Sequence, residues 1–300
     1  MKIAVTGASG FVGRRLVDRL AAAGHNLHLL GRAHSGRATV PSVARMFVWN
    51  PMEGPPGPDA LAGCDAVIHL AGEPVSQRWN PEVKRRIRES RTIGTRNLVA
   101  GIQAASPRPT ILVSASAVGY YGDRGEEILT ESSAPGTGFL PEVCAEWERE
   151  ALAARPLGLR VSLIRIGIVL GAGGGALQKM LTPFRLGVGG PLGSGRQWMP
   201  WIHLDDLCAL FAFAVTQPVE GPFNAAAPNP VSNREFTRAL GRAVHRPAFF
   251  PVPRFAVDLL FGEMAQIVFA SQRALPRATE AAGFRFTYPQ LGPALESVLR

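Results

Sequence analysis

Residues 1–24 read MKIAVTGASGFVGRRLVDRLAAAG, and this stretch decides the fold. The run 2–6 has the apolar, partly β-branched character of a buried strand. From residue 11 the period changes to about 3.6. Phe11, Val12, Leu16 and Leu20 then share one side of a helix over 11–23, and Gly24 supplies its C′ stop. Between strand and helix lies Thr6-Gly7-Ala8-Ser9-Gly10-Phe11-Val12-Gly13. The first glycine permits a tight reversal, Gly10 lets backbone approach a ligand without an intervening Cβ, and Gly13 lets the helix pack close to the strand. The N–H groups left unpaired at the helix start, with the positive end of its dipole, suit an anion. A glycine triplet alone says little. Placed between a strand and an amphipathic helix, it predicts a diphosphate cradle built from Gly7, Ser9, Gly10, Phe11 and Gly13.

The alternation continues outward. Strands are expected at 27–30, 46–49, 66–71, 110–114 and 161–166, and a long helix over 81–105 is opened by Asn80 as N-cap and Pro81 at its first position. Strands separated by helices imply a parallel sheet. The expected fold class is α/β, a Rossmann-type doubly wound parallel sheet with a smaller C-terminal substrate lobe. Three hundred residues exceed one core, so the chain divides into a nucleotide-binding domain, 1–227, and a C-terminal lobe, 228–300, to which 172–200 also contribute. Glycine-dense runs at 171–175 and 187–195 are expected to be loops close to a ligand. A helix over 205–215 is expected to be capped by Asp205 and Asp206.

Composition bounds the partners. A formal charge of +9 raises nucleic acid as a possibility. Lysine stands only at 2, 84 and 179, however, and the densest run, Lys84-Arg85-Arg86-Ile87-Arg88, lies in a helical pattern with Glu82 and Glu89. A solvated helix face explains it, so no nucleic-acid partner is expected. The apolar runs are too short or too charged to span a bilayer and no leader pattern opens the sequence, so no membrane partner is expected. Three dispersed cysteines, Cys64, Cys144 and Cys208, suggest neither disulfides nor a metal site, and a reducing, cytoplasmic location is expected.

The cofactor follows from the end of the second strand. An acid there would take the ribose hydroxyls of NAD, whereas an arginine pairs with the 2′-phosphate of NADP. Arg32 stands at that point, followed by His34, Ser35 and Arg37, with no acid between Asp18 and Glu53. NADP(H) is the expected cofactor.

TGxxGxxG, His69-Leu70-Ala71-Gly72 at the fourth strand and Ser114-Ala115-Ser116-Ala117-Val118 at the fifth together resemble the extended short-chain dehydrogenase/reductase superfamily. LAGEPV (70–75), SRTIGT (90–95), RIGIVLGAGGGAL (165–177), GGPLGSGRQWMPWIHLDD (189–206) and a tail with RALGRAVHRPAFFPVP and FGEMA narrow the resemblance. Over essentially the whole chain it is to the atypical epimerase-family proteins of the 39U type. The resemblance adds Leu70, Ala71, Gly72 and Ser114 to the expected cofactor contacts. The superfamily's usual hydride chemistry uses a Ser/Thr, a Tyr that moves the proton, and a Lys four residues later that lowers the Tyr pKa and holds the nicotinamide ribose. Here tyrosine occurs only at 120, 121 and 288, and Arg124, Gly125 and Gly292 stand four residues on. The Tyr and Lys positions fall on Leu140 and Cys144, or one residue earlier on Phe139 and Val143. Neither pair titrates as Tyr–Lys does. The standard mechanism is excluded, a loss the atypical subgroup shares.

Three catalytic candidates remain. Ser116 matches the superfamily's Ser/Thr position, Tyr121 (beside Tyr120) offers a phenol, and Glu73 is a general base if burial raises its pKa. Arg196, Gln197, Trp198, Trp201 and His203 either line a substrate pocket or pack the lobe, with His203 a satisfied structural histidine. Cys144 reads as a buried apolar residue rather than a nucleophile. Two functions fit: an NADP(H)-binding oxidoreductase or epimerase-like protein for a small or sugar-like substrate, or a non-catalytic NADP(H)-binding sensor or scaffold.

Overall fold

The computed structural model describes residues 1–32 and 41–299. Its centre is a seven-stranded sheet of β1 (Lys2–Thr6), β2 (Asn26–Gly31), β3 (Ala44–Val48), β4 (Ala66–His69), β5 (Ile111–Ala117), β6 (Arg160–Ile166) and β7 (Gly221–Ala225). The spatial order is β7-β6-β5-β4-β1-β2-β3 and every pairing is parallel. The order reverses between β1 and β4, which opens a crevice at the carboxyl ends of the strands. Thr6 is in register with His69, and His69 with Ser114, so β1, β4 and β5 deliver their functional ends to one level.

Several strand bounds differ from expectation, and the ends of β4 and β5 do so for local reasons. β4 stops at His69 rather than 71, because the N–H groups of Leu70 and Ala71 turn to the Thr6 hydroxyl. β5 runs to Ala117 instead of stopping at 114, held by pairing along β6 as far as Ile166; its small Ser and Ala residues concealed this. β3 begins at Ala44 and ends at Val48, two residues before and one residue before the expected bounds, and its largely exposed residues explain the weak pattern. β7 was not expected at all. Its Gly221-Pro222 start disguises it, and proline is tolerated there because the strand lies at the sheet edge.

Side chains of β1 alternate between two layers. Ile3 and Val5 pack with Leu16, Val17 and Leu20 of α1 (Phe11–Ala22) on one face. Ala4 packs with Leu98, Val99 and Ile102 of α2 (Pro81–Ala104) and Ala151 of α3 (Phe139–Leu152) on the other. Asn80 caps α2 as expected, accepting from the Val83 N–H at 2.8 Å. A third core joins Leu177, Leu181 and Phe184 of α4 (Gly175–Arg185) to Trp201, to Phe236 and Leu240 of α6 (Asn233–Ala243), and to Leu291 and Leu295.

The helix between these, α5 (Leu204–Thr216), corrects one expectation. Its N-cap is His203, whose Nδ1 accepts from the Asp205 N–H at 3.1 Å. Asp205 instead pairs with Arg15 at 2.6 Å. Asp206, only 1% exposed, accepts the backbone N–H groups of Thr287 and Tyr288 at 2.8 and 2.9 Å. A carboxylate expected to start its own helix thus fastens the C-terminal tail. Among the described residues no helix is long and apolar enough to cross a membrane.

Candidate functional site

The turn after β1 is built for backbone alone. Gly7 has φ +70°, and a Cβ on it would stand 2.8 Å from the Leu70 carbonyl carbon. A Cβ on Gly13 would collide with the Gly7 carbonyl oxygen. The strand end, the turn and the first turn of α1 therefore stack with no room for side chains. No side chain caps α1, and no acid occupies its first turn. Its unpaired N–H groups and dipole are left for an external anion, next to exposed Ser9 and Gly10. This is the donor set and the clearance that a dinucleotide diphosphate requires. Phe11 plays a different part from its expected backbone contact as well. Its ring lies against the 171–175 run, where a Cβ on Gly174 or Gly175 would stand 2.6 or 2.7 Å from it. Those glycines make room for an aromatic ring.

Beside the turn, a buried chain of hydrogen bonds sets the end of β4. Thr6 Oγ1 accepts from the Leu70 and Ala71 N–H groups, both at 3.2 Å. Its own hydrogen then goes to His69 Nδ1 at 2.7 Å, which leaves His69 Nε2 to donate to Thr95 Oγ1 at 3.0 Å. His69 is fully buried, and that burial, helped by nearby Arg91, lowers its pKa to about 4. A neutral imidazole thus holds Leu70, Ala71 and Gly72 against the glycine turn. Sequence reading quoted His69 within a motif and missed this role, which depends on a tautomer fixed by two hydroxyls from other elements.

Arg32 follows β2 directly and is exposed. It lines a cavity of about 430 Å³ with Val48, Trp49, Asn50, Glu53, Gly54, Pro55 and Gly57. Trp49 is fixed there by its indole N–H bonding the Gly54 carbonyl at 2.9 Å. Trp49 and Asn50 were not among the expected site residues, although their position just beyond β3 could have suggested them. His34, Ser35 and Arg37 lie outside the described residues.

At the end of β5 the catalytic candidates are tied into a buried network. The Ser116 hydroxyl, 2% exposed, donates to Glu148 Oε1 at 2.6 Å. Glu148 also takes two bonds from Arg165, Nε and Nη2, each 2.8 Å. Arg165 Nη1 donates to Tyr121 Oη at 3.0 Å, and Tyr121 donates to Asn224 Oδ1 at 2.7 Å. Tyr121 is wholly buried, and burial pushes its phenol up to about 12 despite Arg165. The phenol stays protonated in the core, with its hydrogen held by Asn224. Tyr120 is only half-buried, with the Arg165 guanidinium 3.6 Å from its ring centre. Ser114, also buried, donates to the Ala115 carbonyl at 3.1 Å.

The helix that should carry Tyr and Lys presents Leu140 and Cys144 to Gly119, just beyond β5. A Cβ on Gly119 would stand 3.5 Å from Leu140 Cδ1 and 3.7 Å from Cys144 Sγ. Phe139 turns away to Trp79, ring centres 5.1 Å apart. Burial pushes the Cys144 thiol up to about 12, so it is not a nucleophile. Glu73 sits at the crevice half-buried, its carboxylate accepting from Gln77 at 3.1 Å and 3.7 Å from Arg86. Of the run 196–203, His203 stacks on Tyr288 with ring centres 3.9 Å apart and bonds Ser297 at 3.1 Å. Trp201 is in the third core, and Trp198 donates to Glu126 at 2.7 Å. These are packing positions.

Residues 3–226 match the model of the NAD dependent epimerase/dehydratase family, and residues 252–298 match a domain of unknown function, DUF1731. Epimerase family protein SDR39U1 homolog, chloroplastic, of Arabidopsis thaliana is 44% identical over 311 residues, covering 100% of this chain and 87% of that protein. Epimerase family protein Mb2239 of Mycobacterium bovis is 41% identical over 297 residues, covering 98% of this chain and 96% of its own length. Among solved structures, human epimerase family protein SDR39U1 (isoform 2), crystallised with NADPH, superposes with a TM-score of 0.88 at 34% identity, covering 100% of this chain and 99% of the human one.

Proposed function

The chain belongs to the NAD dependent epimerase/dehydratase family, among its SDR39U1-type members, and from that premise we propose that it binds NADP(H) and acts as an oxidoreductase or epimerase-like protein on a small or sugar-like substrate. The observation that carries the reading is the glycine turn clear of side chains at the end of β1, with Arg32 lining a cavity just beyond the neighbouring strand β2. The turn's N–H groups hold the diphosphate, and Arg32 takes the 2′-phosphate that distinguishes NADP from NAD. The human relative's NADPH is consistent with the same preference.

When bound, NADP(H) supplies or accepts a hydride at its nicotinamide. The protein's part is to hold that ring over the ends of β4 and β5, where the family's Tyr–Lys pair is replaced by Leu140 and Cys144. With the Tyr121 hydroxyl buried and bonded to Asn224, proton transfer is assigned to Glu73, a carboxylate just beyond the β4 end. Titration with NADPH and NADH tests the cofactor reading. Arg32→Ala should weaken NADPH binding roughly tenfold or more, the worth of a charge-assisted contact, and leave NADH binding little changed. Equal losses for both would remove the 2′-phosphate assignment.

One observation favours a second reading, a non-catalytic NADP(H) sensor or scaffold: the Ser116 hydroxyl hydrogen is already held by Glu148. A screen of carbonyl compounds and sugar nucleotides decides between the two. NADPH consumption that slows in Ser116→Ala supports catalysis, and none across the screen supports the sensor.

A further inference from the structure

A second cavity lies in the C-terminal lobe, where α6 ends. The stretch RALGRAVHRPAFF (238–250) follows the last turns of the helix and then folds back across it. Arg238 and Arg242 are four residues apart and so share one face of the helix. Two backbone bonds lock the helix end. The His245 N–H donates to the Arg242 carbonyl at 3.1 Å, and the Arg246 N–H to the Gly241 carbonyl at 2.9 Å. Gly241 lets the returning chain lie directly on the helix, because a Cβ there would stand 2.7 Å from Ala248 Cβ and 2.9 Å from the Arg246 carbonyl oxygen. Arg246, Pro247 and Phe249 thereby line one cavity with Arg238, Arg242 and His245. Its volume is about 590 Å³, within the range of small-molecule sites.

The charge around this cavity is one-sided. No acid lines it among the described residues, and none occurs in the chain between Glu235 and Asp258. Glu235 is committed to Ser232, accepting from its N–H at 2.7 Å and its hydroxyl at 2.8 Å, and Asp258 faces Arg254 at 3.6 Å. Arg238 and Arg242 are exposed and form no hydrogen bond or ion pair among the described residues. Arg246 is held in place, donating from Nε to the Arg185 carbonyl and from Nη1 to the His245 carbonyl, both at 3.3 Å. The carboxyl end of α6 supplies only about half a negative charge, which three guanidiniums exceed several-fold. His245 is the one non-glycine residue with positive φ among the described residues, at +54°. At the end of α1 the corresponding place is taken by Gly24, at φ +78°, which has no Cβ to clash. A histidine forgoes that ease and puts an imidazole on the cavity wall.

Phe249 completes the wall. Its ring is 65% exposed, beside the equally open ring of Phe250 with centres 4.4 Å apart. An apolar face left in water beside unpaired guanidiniums matches a ligand with a flat ring at one end and phosphates at the other. We propose that this cavity is a second nucleotide site, separate from the dinucleotide's. It takes the phosphates of a nucleoside di- or triphosphate on Arg238, Arg242 and Arg246, with His245 beside them, and stacks the base on Phe249. None of its lining residues belongs to the glycine turn or to the Arg32 cavity, so the inference does not depend on the NADP(H) reading.

The test is isothermal titration calorimetry on the full chain with saturating NADPH, using ATP and inorganic tripolyphosphate as probes. ATP should bind saturably and more tightly than tripolyphosphate, and both should weaken as salt rises. Arg238→Gln and Arg242→Gln should each weaken both probes by about fivefold to tenfold, and His245→Gly by about threefold. Phe249→Ala should weaken ATP by about fivefold and leave tripolyphosphate within about twofold. NADPH affinity and melting temperature of the two arginine variants should match wild type, which separates this site from the glycine turn and reports an intact fold. No ATP binding by wild type that does bind NADPH, or wild-type ATP affinity in the double variant Arg238→Gln, Arg242→Gln, would overturn the inference. Equal losses of both probes in Phe249→Ala would overturn the nucleotide assignment. Failure of wild type to bind NADPH would bring down the cofactor reading alone, because the same variants report on the second site without it.

Discussion

Ser116 and Glu148 are joined by a 2.6 Å hydrogen bond inside the protein, and the same carboxylate grips Arg165 with both oxygens. The serine that the family resemblance assigns to catalysis is thereby one end of a structural network. That network continues through Tyr121 to Asn224, whose Nδ2 bonds the Leu275 carbonyl at 2.9 Å. It links β5, α3, β6 and β7 to the C-terminal tail. Burial opposes the Arg165 charge, but the Glu148 carboxylate outweighs it and raises the guanidinium pKa.

Breaking this pair should be costly. With side chains 4% and 7% exposed, Glu148→Ala should lose about 3–5 kcal/mol in chemical denaturation, since it strands a buried guanidinium. The double variant Glu148→Ala, Arg165→Met should lose clearly less than the two single losses combined. Additive losses would show that the two charges do not depend on each other.

His69 gives a pH dependence with a definite sign. Its folded pKa of about 4 lies below the ordinary 6.5, so the unfolded chain binds the extra proton first as pH falls. Stability is fully present above pH 6.5 and drains away between 6.5 and 4. The His69 share should reach about 2 kcal/mol by pH 5, at about 1.4 kcal/mol per pH unit. Denaturation of wild type and His69→Gln at pH 7 and 5 isolates it: the variant should lose less on acidification. Parallel losses would contradict the buried neutral imidazole.

Gly13→Ala tests the cradle directly. The new methyl meets the Gly7 carbonyl oxygen, and relieving that overlap should cost about 1–3 kcal/mol and displace the turn. NADPH affinity should fall by about tenfold or more while the circular dichroism stays native. Unchanged affinity would mean the turn is not where the diphosphate sits.

Asp206→Ala should loosen the tail. Removing the acceptor strands the N–H groups of Thr287 and Tyr288, and a loss of about 2–4 kcal/mol is expected from two bonds to a charged group. Hydrogen exchange at 284–290 should rise more than in the sheet. Uniform change across the protein would show that Asp206 does not anchor this segment in particular.

Much of the nucleotide half was legible from local pattern. The β1–turn–α1 unit, the Asn80 cap and the parallel α/β class follow from periodicity and glycine placement, which act over a few residues. Less was legible where partners are distant in the chain. Asp206 looks like a helix cap until Thr287 and Tyr288 arrive 81 and 82 residues later. Tyr121 looks like an available phenol until Asn224, 103 residues on, closes over it. β7 hides behind a glycine and a proline that only its edge position excuses.

The sequence by itself determined that backbone, not side chains, must meet a ligand at 7–13, and that no Tyr–Lys pair is present for proton transfer. Both are matters of which atoms the chain possesses. Tertiary structure alone decided which polar groups face the crevice and which are consumed inside, because burial and hydrogen bonding depend on elements far apart in the chain. It retired Tyr121 into the core and made His69 a neutral strut.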